Sequence, residues 1–265
     1  EIATRLAEAG VPMLYVEKAM ACSMRAADAV LEACHKQGTV FNIGVLKRFD
    51  TRWRQARALI EGGEIGQPKA GVHYASTNLM HSHIHSIDAF SYLMGDPGIV
   101  AVRGELLPRG VEIRDNRMLE DYIATYQIAF ANGVDAWNVP AGHWELEVIG
   151  ENGAVRLVNN GMRVSLRKMG SPEDPSPQGV LQHTPWYPLP EWEEVSVPSV
   201  EPNSPVVTCL EDLLDAHESG RPSIANADVT HSITEACIAV AESHQRGGAW
   251  VELPLENRDL YAFHA

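Results

Sequence analysis

"VPMLYVEKAMACSMRAADAVLEACHKQGTVFNIGV", residues 11–45, is the stretch on which the fold class turns. Met13 to Val16 make a short apolar run that stops at the charges of Glu17 and Lys18, which reads as a buried strand. Ser23 can cap a helix that turns Ala26, Ala27, Val30, Leu31 and Cys34 to one face, and Gly38 closes it. "TVFNIGV" is then a second apolar strand. Upstream, Ile2, Leu6 and Ala9 recur at helical spacing before Gly10. The order helix, strand, helix, strand, with links this short, implies parallel strands joined by a crossover helix, the pattern of an open doubly wound sheet.

Beyond residue 50 the pattern changes. "DTRWRQARALIEGGEIG" reads as one capped helix ending at Gly62 and Gly63, and 78–94 as another. Strand-like runs follow at 98–106, 122–130, 133–139, 144–149 and 153–158, with Asn132-Gly133 and Asn152-Gly153 as hairpin signals. Residues 170–205, rich in Pro and Ser with Trp186, Tyr187 and Trp192, read as a long irregular excursion. Helices return at about 207–219 and 228–246, and "WVELPL" is a last short strand. A mostly antiparallel sheet thus follows the parallel unit.

The 265 residues are 45% hydrophobic, enough for a substantial core. A formal net charge of -14, with no Lys/Arg run longer than two, argues against nucleic acid or an anionic membrane as partner and suits small neutral or cationic substrates. Cys22, Cys34, Cys209 and Cys237 lack the spacing of a metal or redox site and read as free thiols in a reducing compartment. No apolar run is long enough to span a bilayer and none follows a basic segment as in a leader peptide, so a cytoplasmic location is expected. The chain opens at Glu1 within a helical pattern, without Met or N-cap, and is expected to be the downstream part of a longer protein.

"NLMHSHIHSIDAF", residues 78–90, carries the densest chemistry. In a helix, Asn78, His81, His85 and Asp88 share one polar face and His83 points elsewhere. In a strand, His81, His83 and His85 would line one face and make a metal-binding site attractive. Ile87, Phe90, Leu93 and Met94 at helical spacing before Gly95 favour the helix. A histidine one turn from a carboxylate suits general acid/base work, because its pKa lies near neutrality and the carboxylate can orient the ring; the plain alternative is a structural histidine. Lys18 closes a strand of the parallel unit, where ligands of open α/β sheets bind, although Glu17-Lys18 also reads as an exposed pair at a strand end. Asn42, Gly44 and Arg48 follow the next strand at the same edge, so Arg48 either approaches Lys18 across one crevice or caps the turn into the next helix.

Together these pieces resemble the Gfo/Idh/MocA family of nicotinamide-dependent sugar and polyol dehydrogenases. Glu17-Lys18-Ala19 is similar to its Glu-Lys-Pro motif, Arg48-Phe49 to its Arg-Phe pair, and Gly63-Glu64-Ile65-Gly66 to the end of its next helix. "HSIDAFSYLMGDP" looks like its His-x-x-Asp helix and "EVIGENGAVRL" like a segment of its sheet domain. The likeness covers nearly all the chain except roughly 170–205. It implies an α/β fold: the C-terminal part of a Rossmann-type doubly wound sheet, residues 1–46, followed by an α+β substrate-binding and oligomerisation domain with a large, mostly antiparallel sheet, residues 47–265.

The resemblance also implies hydride transfer between NAD or NADP and a hydroxyl or carbonyl of a sugar, inositol or related polyol. Lys18 would bind the reacting hydroxyl and the nicotinamide ribose, His85 would exchange the hydroxyl proton, and His81 would join the catalytic set. Asn78 and Asp88 would complete the substrate contacts, and Glu17, Asn42 and Arg48 the cofactor contacts with Lys18. No metal is implied, and the sheet would pair subunits into a dimer or tetramer. Trp137, Trp144 and Trp186 offer faces for a sugar, or simply pack.

Three departures stand out. His81 occupies the place of a frequent family acid. Ala19 replaces proline where a cis peptide is often found, a bond costing about 3 kcal/mol without proline, so Lys18 is expected to sit differently. No G-x-G-x-x-G occurs in the 265 residues. Two other readings compete: a metal-dependent hydrolase or isomerase using His81, His83 and His85 with His143 or His183, and a non-catalytic ligand-binding protein on the same fold.

Overall fold

The computed structural model describes residues 1–170 and 192–264. Its first elements follow the pattern of the opening stretch: α1 (Ile2–Glu8), β1 (Met13–Val16), α2 (Met24–Gln37) and β2 (Val40–Ile43), with β1 and β2 parallel and Tyr15 opposite Asn42. The Ser23 hydroxyl accepts the Ala26 N–H, and Gly38 ends α2 in the left-handed region at φ 67, where a side chain is disfavoured. A 3-10 turn, Leu46–Phe49, leads to α3 (Thr51–Glu61), capped by Asp50.

β3 (Pro68–Ala75) comes next, then a π-helical turn (Leu79–His83), α4 (Ile84–Leu93), β4 (Ile99–Leu107), β5 (Arg117–Met118), β6 (Ile123–Phe130), β7 (Asp135–Val139), β8 (His143–Gly150), β9 (Gly153–Val158), β10 (Arg163–Met169) and β11 (Trp192–Val195). The chain continues through α5 (Pro205–Ser219), α6 (Ala227–Gln245), β12 (Val251–Glu252) and β13 (Tyr261–Ala262). Nine strands form one sheet in the order β11-β10-β9-β8-β3-β7-β6-β4-β12, in which β3 and β7 are parallel and the other neighbours antiparallel. α3, α4 and α6 pack on one face of it.

The central strand β3 carries no apolar alternation that would mark it. Its inward residues are Gly71, His73 and Ala75. Gly71 is small because the Phe90 ring lies against it: a Cβ there would be 2.5 Å from that ring. The Asn132-Gly133 hairpin joins β6 to β7 as expected, with Asn132 Oδ1 accepting the Val134 N–H and Gly133 at φ 81. The next hairpin turns one residue earlier than expected, at Glu151-Asn152, since Gly153 already belongs to β9. A Cβ on Gly153 would lie 2.5 Å from the Arg167 carbonyl on β10, so cross-strand approach, not the turn, calls for glycine.

Of the excursion expected at 170–205, residues 171–191, with His183, Trp186 and Tyr187, lie outside the described residues. Trp192–Val195, by contrast, is regular: it pairs with β10, placing Glu194 opposite Arg167. All four cysteines are free, three of them buried. Among the described residues no helix is long and apolar enough to cross a membrane.

Candidate active site

The histidine-rich stretch is held by an acid the sequence did not single out. Asp121 accepts the Met80 N–H through Oδ1 and the His81 N–H through Oδ2, each at 2.8 Å, and the Asn78 side chain donates to the Asp121 carbonyl. The His83 N–H reaches back five residues to the Asn78 carbonyl, 3.0 Å, so the chain makes a π turn before α4 begins. That extra residue breaks the 3.6-residue register on which the expected polar face of Asn78, His81, His85 and Asp88 depended. Asn78 itself is extended, at φ -69 and ψ 147, and anchors the turn to β6 rather than facing a ligand.

The three histidines diverge. His81 is exposed and stacks on His264, ring centroids 5.8 Å apart. His83 is wholly buried: Nε2 bonds the Ala124 carbonyl at 3.0 Å, and its ring meets His73 and Tyr126 edge to face. His85 faces a cavity on the other side. A shared metal on these rings is therefore corrected by geometry, and among the described residues no group of three His, Cys, Asp or Glu is placed to hold an ion. His143 lies apart, at the exposed start of β8.

Arg48 and Asp88 are brought together, but with each other. Arg48 Nε donates to Asp88 Oδ1 at 2.6 Å with both side chains sealed from solvent, and the rest of the guanidinium forks onto Asp96 at 2.9 and 2.7 Å. A guanidinium so committed does more than cap a turn, and it and the Asp88 carboxyl are both closed off from any open crevice. The expected roles of both are revised to an internal ion pair linking the 3-10 turn to α4. Asn42 is likewise enclosed, its Oδ1 accepting from the Cys209 thiol of α5 at 3.4 Å, which removes it from the open edge of β2.

What remains converges. His85 lines a cavity of about 410 Å³ with Lys47, Asp50, Ser82, Trp144 and Asn160. Its Nδ1 is sealed from water and has no partner among the described residues. Burial, and then the positive charges of Lys18 and Lys47, push its pKa down to about 3, so the ring is neutral at physiological pH. Lys18, two residues past the end of β1, has only a tenth of its side chain exposed and donates to Glu17 Oε1 at 3.0 Å while Glu17 faces solvent. The Lys18–Ala19 peptide is cis, contrary to the expectation raised by Ala19. Beside it a Cβ on Gly44 would lie 3.0 Å from both Glu17 Oε2 and the Tyr15 hydroxyl, so glycine lets the ends of β1 and β2 close on one another. A cavity-lining imidazole and a largely enclosed ammonium just past a strand's carboxyl end stand where ligands of such sheets bind.

Lys47, Asn160, Asp121 and His264 are the members sequence reasoning missed. Lys47 stands beside Arg48 in "VLKRFD", and only the 3-10 turn decides that Lys47 faces the cavity while Arg48 turns inward. His264 reaches the site because β13 pairs with β5 and the Phe263 N–H bonds the Met118 carbonyl.

A family model for the C-terminal alpha/beta domain of an oxidoreductase family, GFO_IDH_MocA_C, matches residues 73–253. The scyllo-inositol 2-dehydrogenase (NAD(+)) of Bacillus subtilis is 29% identical over 170 residues, 54% of this chain and 47% of that protein, so the chain spans about half the length of this relative. Two solved structures share the fold over 95% of the chain. The aldose-aldose oxidoreductase of Caulobacter crescentus, complexed with glycerol, has a TM-score of 0.72 and 22% identity over 75% of its own chain. The inositol dehydrogenase homolog of Azotobacter vinelandii, complexed with NADH and myo-inositol, has a TM-score of 0.70 and 12% identity over 74% of its chain.

Proposed function

Because this chain belongs to the Gfo/Idh/MocA oxidoreductase family, we propose that the complete protein transfers a hydride between NAD or NADP and the hydroxyl or carbonyl carbon of a sugar, inositol or related polyol. The observation that carries this reading is His85: a half-buried, neutral imidazole under the charge of Lys18 and lining a cavity. A neutral imidazole accepts the proton of a substrate hydroxyl at its unprotonated nitrogen without first losing one of its own. Lys18 donates to the hydroxyl oxygen and stabilises the negative charge that grows on it as the proton leaves. The nicotinamide, when bound, supplies the acceptor or donor of the hydride.

Lys18 and Glu17 would hold the ribose at the carboxyl end of β1, and residues 1–46 would be the remaining part of a dinucleotide-binding domain. The phosphate-cradling glycines are not among these 265 residues. Asp121 and His81 support the site through the backbone and the rim, respectively. The sheet face opposite the helices, with Val72, Tyr74 and Trp137 among its residues, would pair with a second copy to give a dimer or tetramer.

The test is the native gene product incubated with NAD or NADP and a panel of polyols, following the reduced cofactor by absorbance, with His85→Ala as control. Turnover that is lost in the variant supports the reading. Ligand binding without turnover in the wild-type protein would sink it in favour of a binding protein on this fold.

A further inference from the structure

The cavity beneath His85 has a built cationic floor. Lys47 Nζ sits 4.6 Å from the centroid of Trp144 and 5.0 Å from that of Trp53, and donates to Asn160 Oδ1 at 2.5 Å. Three consecutive residues in the left-handed region, Asn159, Asn160 and Gly161 at φ 50, 55 and 80, bring that amide to the lysine, and Gly161 lacks the Cβ that would strike Trp53. Trp144 is also left-handed, at φ 57, a costly conformation for a bulky residue and one found where function demands it. Two aromatic faces and an amide oxygen hold the ammonium in place. They do not match its charge.

Among the described residues no carboxylate pairs with Lys47. The acid that faces it, Asp50, is engaged by Arg52: Oδ1 accepts from the Arg52 N–H and Nε, and Oδ2 from Nη2 at 2.6 Å. Burial lowers the Lys47 pKa to about 8, with Asp50 opposing and Arg52 adding to the effect. The other charged influences on His85 are Lys18, His81 and His264, all cationic when charged. In a chain whose net charge is -14, and for which neutral or cationic substrates were expected, the cavity lining thus holds one acid already taken by Arg52 and one ammonium without a carboxylate partner among the described residues.

Resting on the dehydrogenase reading above, we propose that the substrate is an acidic polyol, an aldonate or uronate, whose carboxylate is bound by Lys47 while His85 and Lys18 meet the reacting carbinol. A carboxylate fits a single ammonium beside one amide; a phosphate ester is the competing anion that the test sets against it.

The experiment compares gluconate and glucuronate with glucose and myo-inositol, and with glucose 6-phosphate, as substrates of the native gene product, and repeats the comparison on Lys47→Gln and Lys47→Arg. Binding of the same compounds is followed in parallel by calorimetry. The acids should exceed their neutral counterparts in kcat/KM by about 10- to 100-fold, the ratio expected of one charge-assisted hydrogen bond. That preference should collapse in Lys47→Gln and persist in Lys47→Arg. Turnover of neutral polyols with no advantage for the acids, an unaltered preference in Lys47→Gln, or a preference for the phosphate ester overturns the proposal and leaves the dehydrogenase reading standing. Acids that bind through Lys47 without any turnover sink the dehydrogenase reading and keep the anion site. No acid binding and no turnover overturns both.

Discussion

Replacing Arg48 by methionine separates an internal ion pair from a cofactor contact. The guanidinium is fully buried, bonded to the equally buried Asp88 and forked onto the partly exposed Asp96. Methionine fills much of the space but leaves the Asp88 carboxyl in the core without its cation, and breaking a buried pair from one side costs about 3–5 kcal/mol. For a chain of this size that is a fall in Tm of about 6–20 °C.

The loss should depend on pH. In the wild-type protein burial pushes the Asp88 carboxyl up while Arg48 holds it down; in the variant only the upward push remains. The wild-type carboxyl is already raised to about 6, so the variant's deficit shrinks as pH falls towards 6, by up to about 1.4 kcal/mol per unit, and is constant below, where both folded chains hold the proton. Urea unfolding of wild type, Arg48→Met and the double variant Arg48→Met/Asp88→Leu across that range reads both effects, and the double variant should regain much of the loss because the orphaned acid is gone. A single variant that unfolds with the wild type but binds NAD or NADP more weakly would refute the reasoning and return Arg48 to the crevice.

His85→Ala should lower kcat by about 10²- to 10⁴-fold with unfolding free energy changed by less than about 1 kcal/mol, and an equal collapse of folding would make the residue structural. Because His85 stays neutral to about pH 3, kcat/KM in the oxidative direction should show no limb near pH 6.5 from this group; a limb abolished by His85→Ala would contradict its burial. His83, pushed down to about 4 by burial, is uncharged in the folded state while the unfolded chain takes up a proton below about 6.5, so stability is lost as pH falls between those values. His83→Gln should flatten that acid slope by up to about 1.4 kcal/mol per pH unit in urea titrations, and an unchanged slope would mean the ring is already charged. Gly71→Ala, with a Cβ 2.5 and 2.8 Å from the Phe90 ring, should cost about 1–3 kcal/mol in chemical denaturation, whereas a neutral effect would deny the close approach of α4 to β3.

The sequence by itself determined the parallel unit at residues 13–43, the Asn132-Gly133 hairpin and the helices α5 and α6, because each is written in local terms: a period of apolar residues, a cap, a turn residue. It also marked Lys18 and His85, through motif and spacing. What only the tertiary structure decided depends on partners distant in the chain. β3 is a central strand because β7 and β8 flank it, although its own inward residues are a glycine, a histidine and an alanine. The run from Asn78 breaks into a π turn because Asp121, some forty residues on, captures two of its N–H groups, and that single inserted residue sends three neighbouring histidines to three places. Arg48 and Lys47 are adjacent and similarly charged, yet one closes on carboxylates from α4 and the turn after it and the other on tryptophans from α3 and β8. No period or propensity separates them, since charge and burial are settled by what the rest of the chain packs around each side chain.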